Sequence, residues 1–197
     1  KRDYTNMDFM NFAVQKRLEE MDSGVEMAIK DLLKEIPSSI EENYAYKNLG
    51  HLKFEKETTA WGLGGKSLSS GAAYVDLDND GDYDLVVNNM DEEAFIYRNN
   101  SEKITQNNYL KIQLKGKDKN TLAIGSKIIV EADTLKLQHE LYTSRGFQSS
   151  VDPSIIFGLG KVGTIRELKV IWPDGSITQI NNSAVHQTLH LDQNEAT

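Results

Sequence analysis

The sequence predicts a mainly β protein with an N-terminal helical segment, a small propeller-blade-like sheet and a C-terminal antiparallel β-sandwich. Three observations carry this. A helical three-or-four-residue apolar period is confined to residues 6–36. An Asp-rich loop follows between two short extended runs at 72–87. Beyond residue 108, seven short strand-like segments are separated by turn signals. The expected organisation is a helical segment at 1–40, a blade-like unit at 41–105 and a β-sandwich domain at 106–197.

In the first segment, Met10, Val14, Leu18, Met21, Val25, Ala28, Leu32 and Ile36 fall three or four apart. Asn6 is suited to cap the N-terminus. Ser23 and Glu26 form a capping-box pattern beside Gly24, so two helices are expected with a break near 22–24, the second ending at Pro37. The apolar stripe is read as a packing face.

From Tyr44 onward the helical period gives way to short extended runs. Ala72–Leu77 and Asp84–Val87 flank the acidic loop, and Glu93–Tyr97 follows. Tyr46-Lys47-Asn48 recurs as Tyr97-Arg98-Asn99, an internal echo of the kind a propeller blade gives. A propeller needs about four to eight blades, and this chain has room for one. The sheet is therefore expected either to be capped by the helices or to continue blades lying upstream. The polar stretch Asn99–Asn108 reads as a linker. After it, strands are expected at Tyr109–Leu114, Lys127–Val130, Leu135–Tyr142, Ser154–Phe157, Leu168–Trp172, Ile177–Ile180 and Thr188–Leu191.

Composition narrows the chemistry. The chain has no cysteine, which excludes disulfides, thiolate metal sites and Cys nucleophiles. No run approaches the roughly 18 apolar residues of a membrane-spanning helix, and no signal peptide is visible at the start. The net charge is −8, and its excess sits in residues 61–107, where three basic side chains stand against nine acidic ones. That balance argues against a nucleic-acid footprint, which needs clustered Lys and Arg.

It suits a divalent cation. The run YVDLDNDGDYDLVVNN places Asp76, Asp78 and Asp80 at alternate positions with Gly81 sixth, so a tight loop can wrap hard oxygen ligands around one ion. Asp82 at the seventh position is read as giving its backbone carbonyl, and Asp84 at the ninth its carboxylate. An EF-hand is excluded on two counts: its twelfth position needs Glu where this chain has Val87, and its flanks should be helical rather than extended. The expected cofactor is Ca2+, since Mg2+ prefers an octahedral shell with several waters. No His, Lys or Ser motif accompanies the loop to act as base or nucleophile, and no flanking helices stand ready to swing open. The ion is therefore read as structural and the chain as non-catalytic.

These residues also carry a resemblance. GAAYVDLDNDGDYDLVVNN is similar to the FG-GAP/VCBS repeat, with NYAYKNLGHLKF (43–54) as its preceding half. The tail from Asn108 to Asp192 resembles the ASPIC/UnbV domain through AIGSKIIV (123–130), TSRGFQSSVDPSIIFGLG (143–160) and LKVIWPDGSITQI (168–180). The resemblance, to the cartilage acidic protein-like family, implies a C-terminal fragment of a larger bacterial exported or cell-surface protein. It implies calcium on Asp76, Asp78, Asp80 and Asp84, with an extracellular protein or glycan as partner. An RNA-binding label carried by some members supplies the alternative function, and an accessory part in extracellular polysaccharide processing another.

Other motifs are set aside. Gly158, Gly160 and Gly163 spell GxGxxG, but the alternating Leu168, Val170 and Trp172 that follow read as a strand, where a dinucleotide site needs a helix. Gly65-Lys66-Ser67 lacks the first P-loop glycine, since position 60 is Ala60. His186 and His190 are read as neighbours on one strand face, and the Lys111–Lys119 run as a solvated turn. In Arg145-Gly146-Phe147 the ring of Phe147 is expected to pack into the sandwich.

Overall fold

A computed structural model describes residues 5–24 and 34–197. The chain forms two compact units, one of Lys1–Ser70 with Asn89–Glu93 and one of Gly71–Asn88 with Ala94–Thr197.

In the first unit, helix α1 (Met7–Ser23) is capped as the sequence predicts. The Asn6 side chain accepts from the Phe9 N–H at 3.0 Å. At the other end Gly24 takes a left-handed conformation (φ 69°) and its N–H returns to the Glu20 carbonyl. The expected second helix, with its Glu26 capping partner, falls largely on residues 25–33, outside the described residues. The apolar stripe departs from expectation. Met7, Met10, Val14, Leu18 and Met21 are all exposed, and α1 buries none of its side chains. The described part of this unit offers only Ile36 and Leu68 as buried apolar residues, too little to cover a helix face.

Among the described residues of this unit, four further short strands follow. β1 (Glu41–Glu42) pairs with β4 (Lys66–Ser67), and β2 (Tyr46–Gly50) forms a hairpin with β3 (Lys53–Lys56), all antiparallel. The hairpin turns at His51 and Leu52, both with positive φ. Thr58, fully buried, anchors the segment by accepting the Ala45 N–H at 2.8 Å.

The segment expected as a blade-like unit does not form one continuous sheet. β5 (Ser69–Val75), β6 (Asp84–Asn89) and β7 (Phe95–Tyr97) form a three-stranded sheet in that order, while β2 and β3 form a separate pair. The acidic loop joins β5 to β6. After β7 the chain does not run on as a plain linker: Ser101–Ile104 makes one helical turn, α2.

All seven strands predicted beyond residue 108 are present. β8 (Asn108–Lys115), β11 (Ile155–Gly160) and β14 (Gln187–Asp192) form one sheet in the order β11-β8-β14. β9 (Lys127–Ala132), β10 (Leu135–Glu140), β12 (Thr164–Ile171) and β13 (Ile177–Ala184) form the other, in the order β10-β9-β12-β13. The two share one apolar core. β8 gives Leu110 and Ile112, β9 gives Ile128 and Val130, β11 gives Ile155, Phe157 and Leu159, and β12 gives Leu168 and Val170, closed by Trp172. Here the period-two alternation seen in the sequence does what it implies, turning every second side chain inward. The purely antiparallel expectation needs one correction: β14 pairs with β8 in parallel, Gln187 opposite Leu110 through Asp192 opposite Lys115. The chain leaves β13 in one sheet and enters the other beside β8, which fixes its direction.

Three smaller expectations are also corrected. The Phe147 ring is 68% exposed; the backbone of its loop, not the ring, packs on β5, where a Cβ at Gly71 would stand 3.0 Å from the Phe147 carbonyl oxygen. His186 lies in the turn before β14 with positive φ, whereas His190 lies on the strand itself. Lys111 is buried instead of solvated. The GxGxxG run ends β11 and turns directly into β12.

Candidate metal centre

The acidic loop lies within the second unit, against a face of β8 that the sandwich core does not use. Leu110 and Ile112 point into the core, while Tyr109 and Lys111 meet the loop. Gly81 makes the approach possible. Its φ is +93°, and a Cβ there would fall 2.2 Å from the Tyr109 ring. Beside it, Tyr83 reaches across to β11. Its hydroxyl donates to the Ser154 carbonyl and accepts the Ile156 N–H, both at 2.9 Å.

Those two bonds give a pH-dependent prediction. Burial pushes the Tyr83 phenol from its ordinary value of 10.0 up to about 12. The folded state therefore holds this proton more tightly than the unfolded chain does. Its contribution is complete below pH 10 and is lost as pH climbs from about 10 to 12. Tyr83→Phe is expected to cost about 1–3 kcal/mol at neutral pH, because the Ile156 N–H loses its acceptor. It should also flatten the decline in stability above pH 10, measured by urea unfolding of both proteins across that range.

The five predicted ligands divide by what already holds them. Asp76 is buried; its Oδ1 accepts the Asp80 N–H at 3.1 Å, and its Oδ2 lies 2.8 Å from Lys111 Nζ. Asp78 Oδ2 lies 2.6 Å from the Arg98 guanidinium, which also reaches Asp80 Oδ2 at 3.3 Å. Asp84, 3% exposed, spends both oxygens on backbone N–H groups, those of Leu77 and Asn99, each at 2.9 Å. Asp82 takes the Ser101 hydroxyl on Oδ2 at 2.6 Å, but its Oδ1 is buried without a hydrogen bond. Loss of hydration pushes the carboxyls of Asp78 and Asp82 above their ordinary values. Arg98 opposes this at Asp78 and Ser101 at Asp82, while Asp80 adds to it at both.

Among the described residues, two groups of carboxylates converge closely enough for each to hold an ion. Asp76, Asp78 and Asp80 form one; Asp80, Asp82 and Glu102 form the other. Within each group the donor oxygens lie within 4.8 Å of one another. Asp84 belongs to neither; from the start of β6 it ties down the residues that follow β5 and β7. The Asp82 carboxylate lies in the second group, where the sequence reading gave this residue a backbone carbonyl. Glu102 sits on α2, in the stretch read as a linker, and its Oε1 is flanked by Lys103 Nζ at 3.2 Å and an Arg98 nitrogen at 3.8 Å. The donor set is of the kind calcium takes: hard oxygens only, close enough within each group for ligands at about 2.3–2.6 Å from a common centre.

Arg98 and Lys111 are the residues that sequence reasoning undervalued. The echo Tyr97-Arg98-Asn99 flagged the first for its repeat alone. The second was hidden in a lysine run, because its carboxylate partner is 35 residues away.

A family model described as ASPIC and UnbV matches residues 116–197. Comparison with curated proteins returns no match. The matched stretch begins directly after β8. The strand that bridges the acidic loop and the sandwich core therefore lies outside it.

Proposed function

We propose that this chain is a non-catalytic, calcium-stabilised recognition module of a secreted or cell-surface protein, in which the ion is structural. The observation that carries the reading is the convergence of carboxylates in the loop and α2: Asp76, Asp78 and Asp80 on one side and Asp80, Asp82 and Glu102 on the other, with the donor oxygens of each group within 4.8 Å of one another. Buried carboxylates are costly unless paired or on a metal. A bound cation would cancel the mutual repulsion and fix the β5–β6 turn against β8. The loop's resemblance to calcium-binding repeats and the ASPIC and UnbV match beyond residue 116 support an extracytoplasmic setting, with a protein or glycan as the partner.

The RNA-binding alternative draws little from the basic residues. Lys111, Lys115 and Lys117, the core of the lysine run, are engaged by Asp76, Asp192 and Asp174. Phosphate contacts would have to break those pairs.

The test is elemental analysis of the purified chain together with melting in calcium and in chelator. With free calcium at about 100 times the dissociation constant, the expected gain is about 2.7 kcal/mol, or roughly 5–10 °C for a chain of this size. Absence of both bound calcium and a shift would falsify the reading.

A further inference from the structure

We infer that the tip of the loop between β10 and β11 is the surface with which this chain holds a protein partner, an acidic segment whose carboxylate meets Arg145 and whose apolar side chains take the ring of Phe147. This rests on the recognition reading above and gives that recognition its residues and the chemistry of its partner.

The loop is built to present these two side chains. Its stem is closed by the Val151 N–H on the Thr143 carbonyl at 2.8 Å, by the Ser144–Ser150 bridge and by the Arg145 N–H on the Ser149 carbonyl at 3.1 Å. Within the tip, Gly146 (φ 77°) and Gln148 (φ 46°) both turn left-handed, and the Ser149 hydroxyl donates to the Phe147 carbonyl at 2.8 Å. The tip also sits against β5, where a Cβ at Gly71 would come within 2.7 Å of Ser149 Oγ and 3.0 Å of the Phe147 carbonyl oxygen. The ring carried on this ordered backbone is 68% exposed. Folding has therefore already met the cost of ordering the loop, which a mobile loop would meet on binding.

Arg145 sets the charge of the partner. Among the described residues, Arg17, Arg98 and Arg166 each lie against a carboxylate, whereas Arg145 is exposed and has none. The acidic groups near it in sequence are engaged elsewhere: Glu140 by the Tyr142 hydroxyl at 2.5 Å and Lys127 at 3.8 Å, and Asp152 by the Ser154 N–H. The Arg145 charge reaches inward to His139 on β10, whose pKa is held below its ordinary value by burial and then by that guanidinium. Aromatic rings and arginine are the side chains enriched in protein interfaces, and a guanidinium takes a carboxylate through two parallel hydrogen bonds. A nucleic acid fits less well, because phosphates need clustered cations and the tip offers one, flanked in sequence by Glu140 and Asp152. An anionic membrane is opposed by the net charge of −8.

The experiment selects short random peptides, displayed on phage, against the immobilised full chain. Enriched sequences are then synthesised and titrated by fluorescence anisotropy with wild type, Arg145→Ala, Phe147→Ala and Arg145→Glu. Enriched peptides are expected to combine Asp or Glu with apolar side chains. Each alanine variant should bind them at least about 10-fold more weakly, and Arg145→Glu more weakly still. Both side chains lie at the surface, so melting temperatures should stay level. No enrichment, enrichment of peptides without carboxylates, or equal binding by the variants overturns the assignment. Self-association of wild type that Phe147→Ala abolishes also overturns it, giving the tip to a second copy. Arg145-dependent binding of single-stranded DNA or phosphatidylserine vesicles in place of peptides does the same. Equal binding by all variants places the peptide on another surface and leaves the recognition reading standing, while melting of the same samples in calcium and in chelator tests the structural ion separately.

Discussion

Replacing Lys111 with Met is expected to destabilise the chain by about 3–5 kcal/mol, the usual consequence of removing one partner of a buried ion pair. Methionine matches the length and flexibility of the lysine stem, so little volume is lost on the loop-facing side of β8. What is lost is the ammonium 2.8 Å from Asp76, leaving a carboxylate whose side chain is 2% exposed without its counter-charge. The double variant Lys111→Met with Asp76→Asn removes that charge while preserving the acceptor for the Asp80 N–H. It should recover most of the loss, and guanidinium unfolding of the two single variants and the double measures the coupling. Additive losses would show that the pair is not the source.

Gly81→Ala should cost about 2–5 kcal/mol. Two effects combine: about 1–2 kcal/mol of backbone strain for a side chain at positive φ, and about 1–3 kcal/mol of overpacking. The second follows from a Cβ that would fall 2.2 Å from the Tyr109 ring. That ring cannot step aside freely, because it stands edge-on to His186 at a centroid distance of 5.2 Å, and the Tyr109 carbonyl accepts the His186 N–H. Pairing Gly81→Ala with Tyr109→Leu should relieve the overpacking and leave the backbone strain. A single variant within 0.5 kcal/mol of wild type in urea unfolding would mean that loop and strand are not in close contact.

The parts of this molecule that sequence reading recovered are those governed by near neighbours. Leu168, Val170 and Trp172 alternate, so β12 could be placed and its inward face named. Pro173-Asp174-Gly175 marks its turn, closed by the Gly175 N–H on the Trp172 carbonyl. Asn6 and Gly24 bound α1 through contacts three or four residues away. The Asp spacing located the acidic loop for the same reason. What escaped depends on residues far apart in the chain. Nothing local distinguishes Lys111 from Lys115, yet one is buried and the other lies at the surface. Glu102 looked like linker because its neighbours are polar, and its meaning comes from Asp80 and Asp82 some twenty residues earlier. Asp84 was read as a ligand from its ninth position alone, and the Leu77 and Asn99 N–H groups that meet its two oxygens come from 7 and 15 residues away. Phe147 was assigned to the core on hydrophobicity, whereas Gly146 and Gln148, both at positive φ, fold the loop so that its ring stays outside.

The parallel ladder between β8 and β14 bears on how the molecule reaches its native state. Lys115 and Asp192, which close that ladder, are 77 residues apart. The pairing therefore carries a large loop-closure cost and belongs among the slow steps of assembly. Until β14 arrives, one side of β8 is a bare edge carrying Leu110 and Ile112, the kind of template on which chains aggregate. Lys111 and Lys115 on that strand oppose such pairing by charge, and the acidic hairpin, which is closer in sequence, can hold Lys111 while the edge waits. The contacts that organise the loop in the finished molecule would thus also shelter an incomplete sheet on the way to it.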